Sequence, residues 1–126
     1  MSSNASAVRA FVASFNSQDL DAFVAVLHPE VEIVSGRGSR RGREQARTWA
    51  TFKAGGVRQR QVIDELVESG DRVLALNRRQ WYWDGTDELA AEDEMAYVFT
   101  LRDGLILRWE PFEDRPAARA AAGADA

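Results

Sequence analysis

From Val57 onward the sequence reads as strand-length runs cut at three places by turn-forming clusters: Ser69-Gly70-Asp71, Asp84-Gly85-Thr86 and Arg102-Asp103-Gly104. Glycine beside a short polar residue takes up the positive φ angles that tight hairpins need, so each cluster joins antiparallel neighbours. Four strands in meander order follow, at about 57–69, 72–83, 89–101 and 105–113. Strands this long, against a usual length of about five or six residues, cannot stay flat, and the sheet must twist and bend. A bent sheet has an inside, and what lines that inside decides what the chain can do.

The first half is mostly helical. Val8, Phe11, Val12 and Phe15 recur at i, i+3, i+4 and i+7 within residues 4–16, one apolar stripe that stops near Asn16-Ser17. Asp19 is placed to N-cap a second, short helix with Leu20, Phe23, Val24 and Leu27 as its buried face, and Pro29 forbids its continuation. His28-Pro29 therefore marks a helix end, with the imidazole near the last carbonyls. Val31 to Val34 is a short β-rich run, and Ser35 to Gly42 has the composition of a loop. A third helix is predicted from about Arg43 to Lys53, bounded by Gly55-Gly56. The alanine-rich end after Arg115 has no large apolar residue, so a frayed helix or disorder is expected there.

With 126 residues, 45% of them hydrophobic, the chain has enough apolar surface for one core and little room for a second. The predicted organisation is one α+β domain over residues 1–116 with a flexible tail over 117–126. A net charge of −4 disfavours nucleic acid and anionic lipid as partners. No run approaches the roughly 20 apolar residues of a membrane span, and no basic stretch leads into an apolar one at the N-terminus, so a cytoplasmic location is expected. The absence of cysteine excludes disulfides and thiolate metal ligands, and the single histidine, His28, excludes a multi-histidine metal site. Arg37, Arg40, Arg41, Arg43 and Arg47, with Arg58 and Arg60, form the one basic concentration. Without a phosphate-loop pattern or interleaved aromatic rings, it reads as a solvated loop balanced by acids ahead of an anion site.

Several strings carry a family resemblance. Phe11-Val-Ala-Ser-Phe-Asn-Ser-Gln-Asp-Leu-Asp-Ala-Phe23 and Leu27-His-Pro-Glu-Val-Glu32 resemble the first two helices and the entry to the first strand of the SnoaL-like branch of the nuclear transport factor 2-like superfamily. Gly42-Arg-Glu44 is similar to the start of its third helix, and Phe99 to Asp114 resembles its final hairpin. The resemblance spans roughly residues 4–116 and implies a cone: a curved antiparallel sheet closed at one end by three N-terminal helices. It also implies a homodimer through the outer face of the sheet, where Leu74 and Leu76 lie by alternation. The fold itself hosts isomerases, cyclases, hydrolases and non-catalytic binders, so it does not specify a reaction.

Side chains of one parity share a face of a strand. Matched to the family's pocket positions, the inward faces carry Val73, Ala75, Asn77, Arg79, Trp81 and Trp83; Asp93, Met95, Tyr97, Phe99 and Leu101; and Leu105, Leu107, Trp109 and Pro111. Ser35 and Trp49 then close the cavity. The resemblance thus implies a substrate-binding set of Trp49, Asn77, Trp81, Trp109, Ser35, Met95 and Phe99, aromatic walls with sparse orienting groups. Each tryptophan taken alone reads as plain core ahead of a ligand wall.

The family's chemistries each need a carboxylate at a set place. Ketosteroid isomerase-like members use an aspartate base, and that position is Ser35 here; their two donor positions fall on Phe11 and Tyr97. Limonene epoxide hydrolase-like members use an arginine flanked by two aspartates, and here Arg79 matches while the aspartates read Trp81 and Pro111. Polyketide cyclase-like members need a pocket acid, for which Asp93 has the inward parity and Glu110 does not. If the hairpin turns near Thr86, Arg79 and Asp93 face one another across adjacent strands. The implied catalytic set is Asp93, Tyr97 and Arg79, with no cofactor. The plainer reading of Arg79 and Asp93 is a cross-strand ion pair, and an arginine-held carboxylate is a poor base. Two functions stand: an enzyme acting on a small apolar or aromatic oxygenated substrate, and a domain that binds or senses such a ligand without reacting.

Overall fold

The computed structural model describes residues 4–35, 38–51 and 55–123. In chain order the elements are α1 (Asn4–Ser17), α2 (Leu20–Ala25), β1 (Leu27–Ser35), β2 (Gly38–Arg41), α3 (Arg43–Thr51), β3 (Val57–Ser69), β4 (Arg72–Trp83), β5 (Leu89–Arg102), β6 (Leu105–Phe112) and α4 (Arg115–Ala122). Among the described residues one curved, unclosed sheet runs β2-β1-β6-β5-β4-β3. The meander from β3 to β6 is antiparallel throughout, as the turn signals require, and β1 joins it by a parallel pairing with β6. Asp103 and Gly104 make the last hairpin with φ of 55° and 76°, the two left-handed residues of a tight turn whose twist matches its strands.

The sheet bends at irregularities in its pairing. Register shifts add one residue at Asp64 on β3, at Ala90 on β5 opposite Trp81 and Tyr82, and at Leu107 on β6 opposite Thr100 and Leu101. An extra residue at such a point bends a strand and resets which side chains point inward. Ile106 is accordingly buried against the inner core, a place that strict alternation gives to Leu105 and Leu107. Trp83, placed inside by strict alternation, ends β4 and is 48% exposed.

α1, α2 and α3 pack on the inner face, where Phe11, Phe23, Ile33, Val73, Tyr97, Phe99 and Trp109 form the main core. The short helix begins as its sequence requires, with Asp19 accepting from the Ala22 N–H at 3.2 Å. It ends at Ala25, and the chain is already extended at Leu27, so His28 lies in β1 and its Nδ1 accepts the Glu30 N–H at 3.0 Å. The helix-end role expected of His28 is thereby corrected. The segment read as a loop contains β2, which pairs with β1 from Glu32↔Arg41 to Ser35↔Gly38. α3 is described as far as Thr51, and its expected end at Lys53 lies outside the described residues.

The expected fraying after Arg115 is also corrected. α4 has Pro116 at its start, where no backbone donor is needed, and a left-handed Gly123 at its end. Ala118 and Ala122, four apart, lie buried on Leu74, Leu76, Ala96 and Val98 of the outer sheet face. The small side chains let the helix backbone sit close to the sheet, so alanine here supplies contact where a larger residue would hold the layers apart. Arg72 donates to the Ala121 carbonyl at 2.6 Å and the Ser69 hydroxyl to the Gly123 carbonyl at 3.0 Å, which tie down the helix end. Leu74 and Leu76 are thus covered by the chain itself. Ala118→Asp should lower unfolding free energy by about 2–4 kcal/mol in urea denaturation, because it forces a charge under the helix, whereas exposed Ala117→Asp should stay within about 0.5 kcal/mol. Equal effects would show that α4 is not docked in solution.

Candidate small-molecule site

The β4–β5 register sets Arg79 directly opposite Asp93. The guanidinium grips the carboxylate with two parallel bonds, Nε to Oδ1 at 2.8 Å and Nη2 to Oδ2, and lies 4.9 Å above the Trp81 ring. The hydrogen bond to Asp93 raises the arginine's already high pKa further, against a partial opposing effect of burial. With both carboxylate oxygens accepting from one cation, Asp93 holds a formed ion pair at the rim of the inner face, where its side chain remains 42% exposed. Tyr97 lies deeper, 1% exposed. Burial pushes its phenol up to about 12, with the Arg79 charge pulling part of the way back. At neutral pH Tyr97 is therefore a neutral hydroxyl beside a fixed ion pair.

Behind this trio the aromatic residues of the inner face pack on one another. Tyr97 stacks on Trp109 with centroids 4.9 Å apart, and Trp109 meets Trp49 at 5.0 Å. Trp49 also touches Phe11, Phe15 and Phe23, and Phe11 meets Phe99 edge-on at 5.2 Å. Met95 and Phe99 are buried in the same cluster. Ser35 is at the tip of β1, its hydroxyl donating to the Gly38 carbonyl at 2.8 Å across the hairpin. Two buried polar atoms, Asn77 Oδ1 and Trp109 Nε1, have no hydrogen-bond partner among the described residues.

The open volume, about 670 Å³, lies toward the mouth. Phe15 and Asn16 from the end of α1, Gln18 just after it, Ala50 of α3, Arg58, Gln59 and Arg60 of the edge strand β3, and Trp81 of β4 border it. Of the expected catalytic and substrate-binding residues, Trp81 alone is among the described lining, while Trp49, Asn77, Met95, Tyr97, Phe99 and Trp109 form the packed floor behind it. The mouth is rigidly made. Asn16 donates to the Gln61 carbonyl and accepts its N–H, both at 2.8 Å, which pins α1 to the outer edge of β3. Gln18, left-handed at φ 57°, donates to the carbonyls of Phe15 at 2.8 Å and Ala50 at 3.2 Å and so holds α1 to α3. Sequence reasoning passes over these amides because their partners are backbone groups 32 and 45 residues away.

The arginine concentration is largely engaged locally. Arg41 pairs with Glu32 and Arg47 with Asp21, while Arg43 donates twice to the Leu27 carbonyl at 2.9 and 2.7 Å. Arg58 pairs with Asp87 and stacks on Tyr82 at 4.8 Å; Arg37 lies outside the described residues. Among the described residues no three His, Asp or Glu side chains gather as a metal site.

The raised phenol has a measurable consequence. Folding stabilises neutral Tyr97, so that contribution is complete below pH 10, the ordinary tyrosine value, and is lost as pH rises toward about 12. Absorbance at 295 nm should show a tyrosinate step delayed toward pH 12 that Tyr97→Phe removes; a variant with an unchanged titration would refute the buried placement.

The SnoaL-like domain model matches residues 8–109. Among solved structures, an epoxide hydrolase of Mycobacterium tuberculosis, described as limonene epoxide hydrolase-like, superposes with a TM-score of 0.71 at 23% identity over 86% of this chain and 80% of its own. A nuclear transport factor 2-like protein of unknown function from Burkholderia pseudomallei gives 0.73 at 22% identity over 95% and 97%. A protein of ketosteroid isomerase-like fold from Catenulispora acidiphila, in complex with trimethylamine, gives 0.73 at 18% over 93% and 92%. No curated protein matches the sequence. At these identities the structural likeness speaks for the fold alone; with the domain match covering most of its length, the chain belongs to the SnoaL-like family.

Proposed function

We propose that the protein binds a small, largely apolar oxygenated molecule, cyclic or aromatic, in the cavity beside Trp81, and works as a binding or sensing domain. The observation that carries this reading is the chemistry of the described wall. It offers aromatic rings and amides, with the Arg58 and Arg60 guanidinium groups along β3, and contains no carboxylate or imidazole. Its volume falls within the roughly 300–1,000 Å³ usual for small-molecule sites. Asp93, the acid expected to act at the site, is already held at both oxygens by Arg79. Among the structural neighbours, the Catenulispora protein carries a bound small organic molecule, which supports a ligand pocket in this fold.

Catalysis by Arg79, Asp93 and Tyr97 is the second reading, and one observation favours it. Tyr97 is a buried neutral donor beside a cation, the kind of group that stabilises a developing oxyanion. The neighbour described as an epoxide hydrolase supports the same direction. A ligand would then have to reach past Trp81 to the floor formed by Trp49, Asn77, Met95, Phe99 and Trp109, with Ser35 at the far end of the inner face.

A homodimer through the outer face belongs to this proposal. α4 takes up Leu74 and Leu76, which leaves the stretch with Tyr82, Gln80 and Glu92, linked by hydrogen bonds of 2.9 and 2.7 Å, as the surface for a second copy. Sedimentation velocity at micromolar concentration should give a two-chain mass, and a single-chain mass would remove the dimer. Nucleic acid and membranes stand outside the proposal: the net charge is −4, and no described helix is long and apolar enough to cross a bilayer.

Titration of tryptophan fluorescence with cyclic ketones, epoxides, aromatic polyketides and fatty acids tests the binding reading. A hit should lose at least about tenfold in affinity in Trp81→Ala, since the ring supplies a wall of the cavity. Unchanged affinity would place the ligand elsewhere. Turnover of a hit that Asp93→Asn lowers at least about a hundredfold would decide for the enzyme.

A further inference from the structure

Three side-chain amides run in a line from the core to the cavity wall. Asn77 Nδ2 donates to Gln61 Oε1 at 3.1 Å, and Gln61 Nε2 donates to Gln59 Oε1 at 3.2 Å. Asn77 is fully buried and Gln61 is 5% exposed, while Gln59 borders the cavity directly across from Trp81. Gln61 cannot drift, because its backbone is held on both sides by the Asn16 amide.

Such a line has a direction, and its buried end sets it. Reversing all three amides keeps both bonds but leaves a different group without a partner inside. In the arrangement found, the unpartnered atom is the carbonyl oxygen Asn77 Oδ1. In the reversed arrangement it is the Asn77 NH2, with two buried N–H groups and no acceptor. Buried donors without partners are rarer and costlier than under-satisfied carbonyls, so the core selects the orientation found. The other end then follows: Gln59 spends its oxygen on Gln61 and turns its NH2 toward the cavity. Of the other polar groups of the mouth, Asn16 is engaged with Gln61, Gln18 donates to two carbonyls, Arg58 is held by Asp87 and the Thr86 carbonyl, and Arg60 adds an exposed guanidinium at the rim. The Ser17 hydroxyl is likewise spent, on the Ser14 carbonyl.

From this polarity, and resting on the binding reading above, we infer that Gln59 is a specificity-determining residue. It selects molecules that place a neutral acceptor oxygen, a carbonyl or an ether, beside a flat apolar body against Trp81. A ligand group that only donates does not match the outward Gln59 NH2, and a hydrocarbon forgoes the bond.

Matched probes test the inference: 2-acetylnaphthalene and acetophenone against their ethyl analogues, followed by calorimetry and by the Gln59 side-chain amide signals in 15N-labelled protein. Gln59→Glu still accepts from Gln61, so the line is kept while the outward donor becomes an acceptor. Gln59→Met removes the donor without adding charge. The ratio of ketone to hydrocarbon affinity should fall about tenfold in both variants, as loss of one hydrogen bond predicts, with hydrocarbon affinity held as the sign of an intact cavity. The wild-type Gln59 amide protons should shift with the ketones and not with the ethyl compounds. An unchanged ratio, with both classes still bound, would overturn the role of Gln59 and leave the binding reading standing. Failure of every probe to perturb the Trp81 and Gln59 signals would overturn the binding reading itself and this inference with it.

Discussion

The Asn16 side chain stands in for a missing strand. β3 is an edge of the sheet, and an edge presents backbone groups with nothing to pair them. By giving and taking one hydrogen bond at Gln61, Asn16 satisfies one such position and fastens the last turn of α1 to the sheet margin. Much follows from that contact. It holds Phe15 and Gln18 over the mouth, it fixes the residue at the middle of the amide line, and it leaves the volume between helix end and strand edge unfilled. The same contact protects an otherwise exposed edge from pairing with another chain.

The interior behind the mouth follows a different rule. Tyr97 and Trp49 meet Trp109, and Phe11 meets Phe99, at 4.9 to 5.2 Å, so the described rings of the inner face are in mutual contact. Offset and edge-on aromatic contacts are favourable beyond the area they bury, and they hold helices and sheet at a set separation. Space that the family architecture offers for a ligand is here divided into a filled floor and an open vestibule. Trp81 stands at the boundary, with the Arg79 guanidinium against its ring. That boundary explains why Asp93 and Tyr97 sit near the cavity without bordering it.

Much of the architecture was legible in the sequence because it rests on short-range signals. Asp103-Gly104 and its counterparts mark the strand limits, the stripe from Val8 to Phe15 marks α1, and counting from the turn puts Arg79 opposite Asp93. What escaped depends on contacts between distant parts of the chain. β2 is four residues rich in glycine and arginine, and only its pairing with β1 makes it a strand. α4 looks featureless because alanine carries no amphipathic signal of its own, and its place is set by the fit of Ala118 and Ala122 on Leu74 and Leu76. The mouth was missed for the same reason: Asn16, Gln18 and Gln59 act through partners that periodicity does not reveal. The faces of β6 were misread at Leu105 and Leu107 because an added residue resets alternation, and no local pattern announces it.

α4 also settles on which side the polypeptide leaves the fold. Gly123 is anchored at the Ser69 end of the outer face, with the sheet standing between it and the vestibule. A fluorophore, a fused domain or a solid support joined beyond that point is screened from the opening by the full thickness of the sheet. The molecule can thus be tethered by its tail and still present an unobstructed entrance to whatever diffuses in.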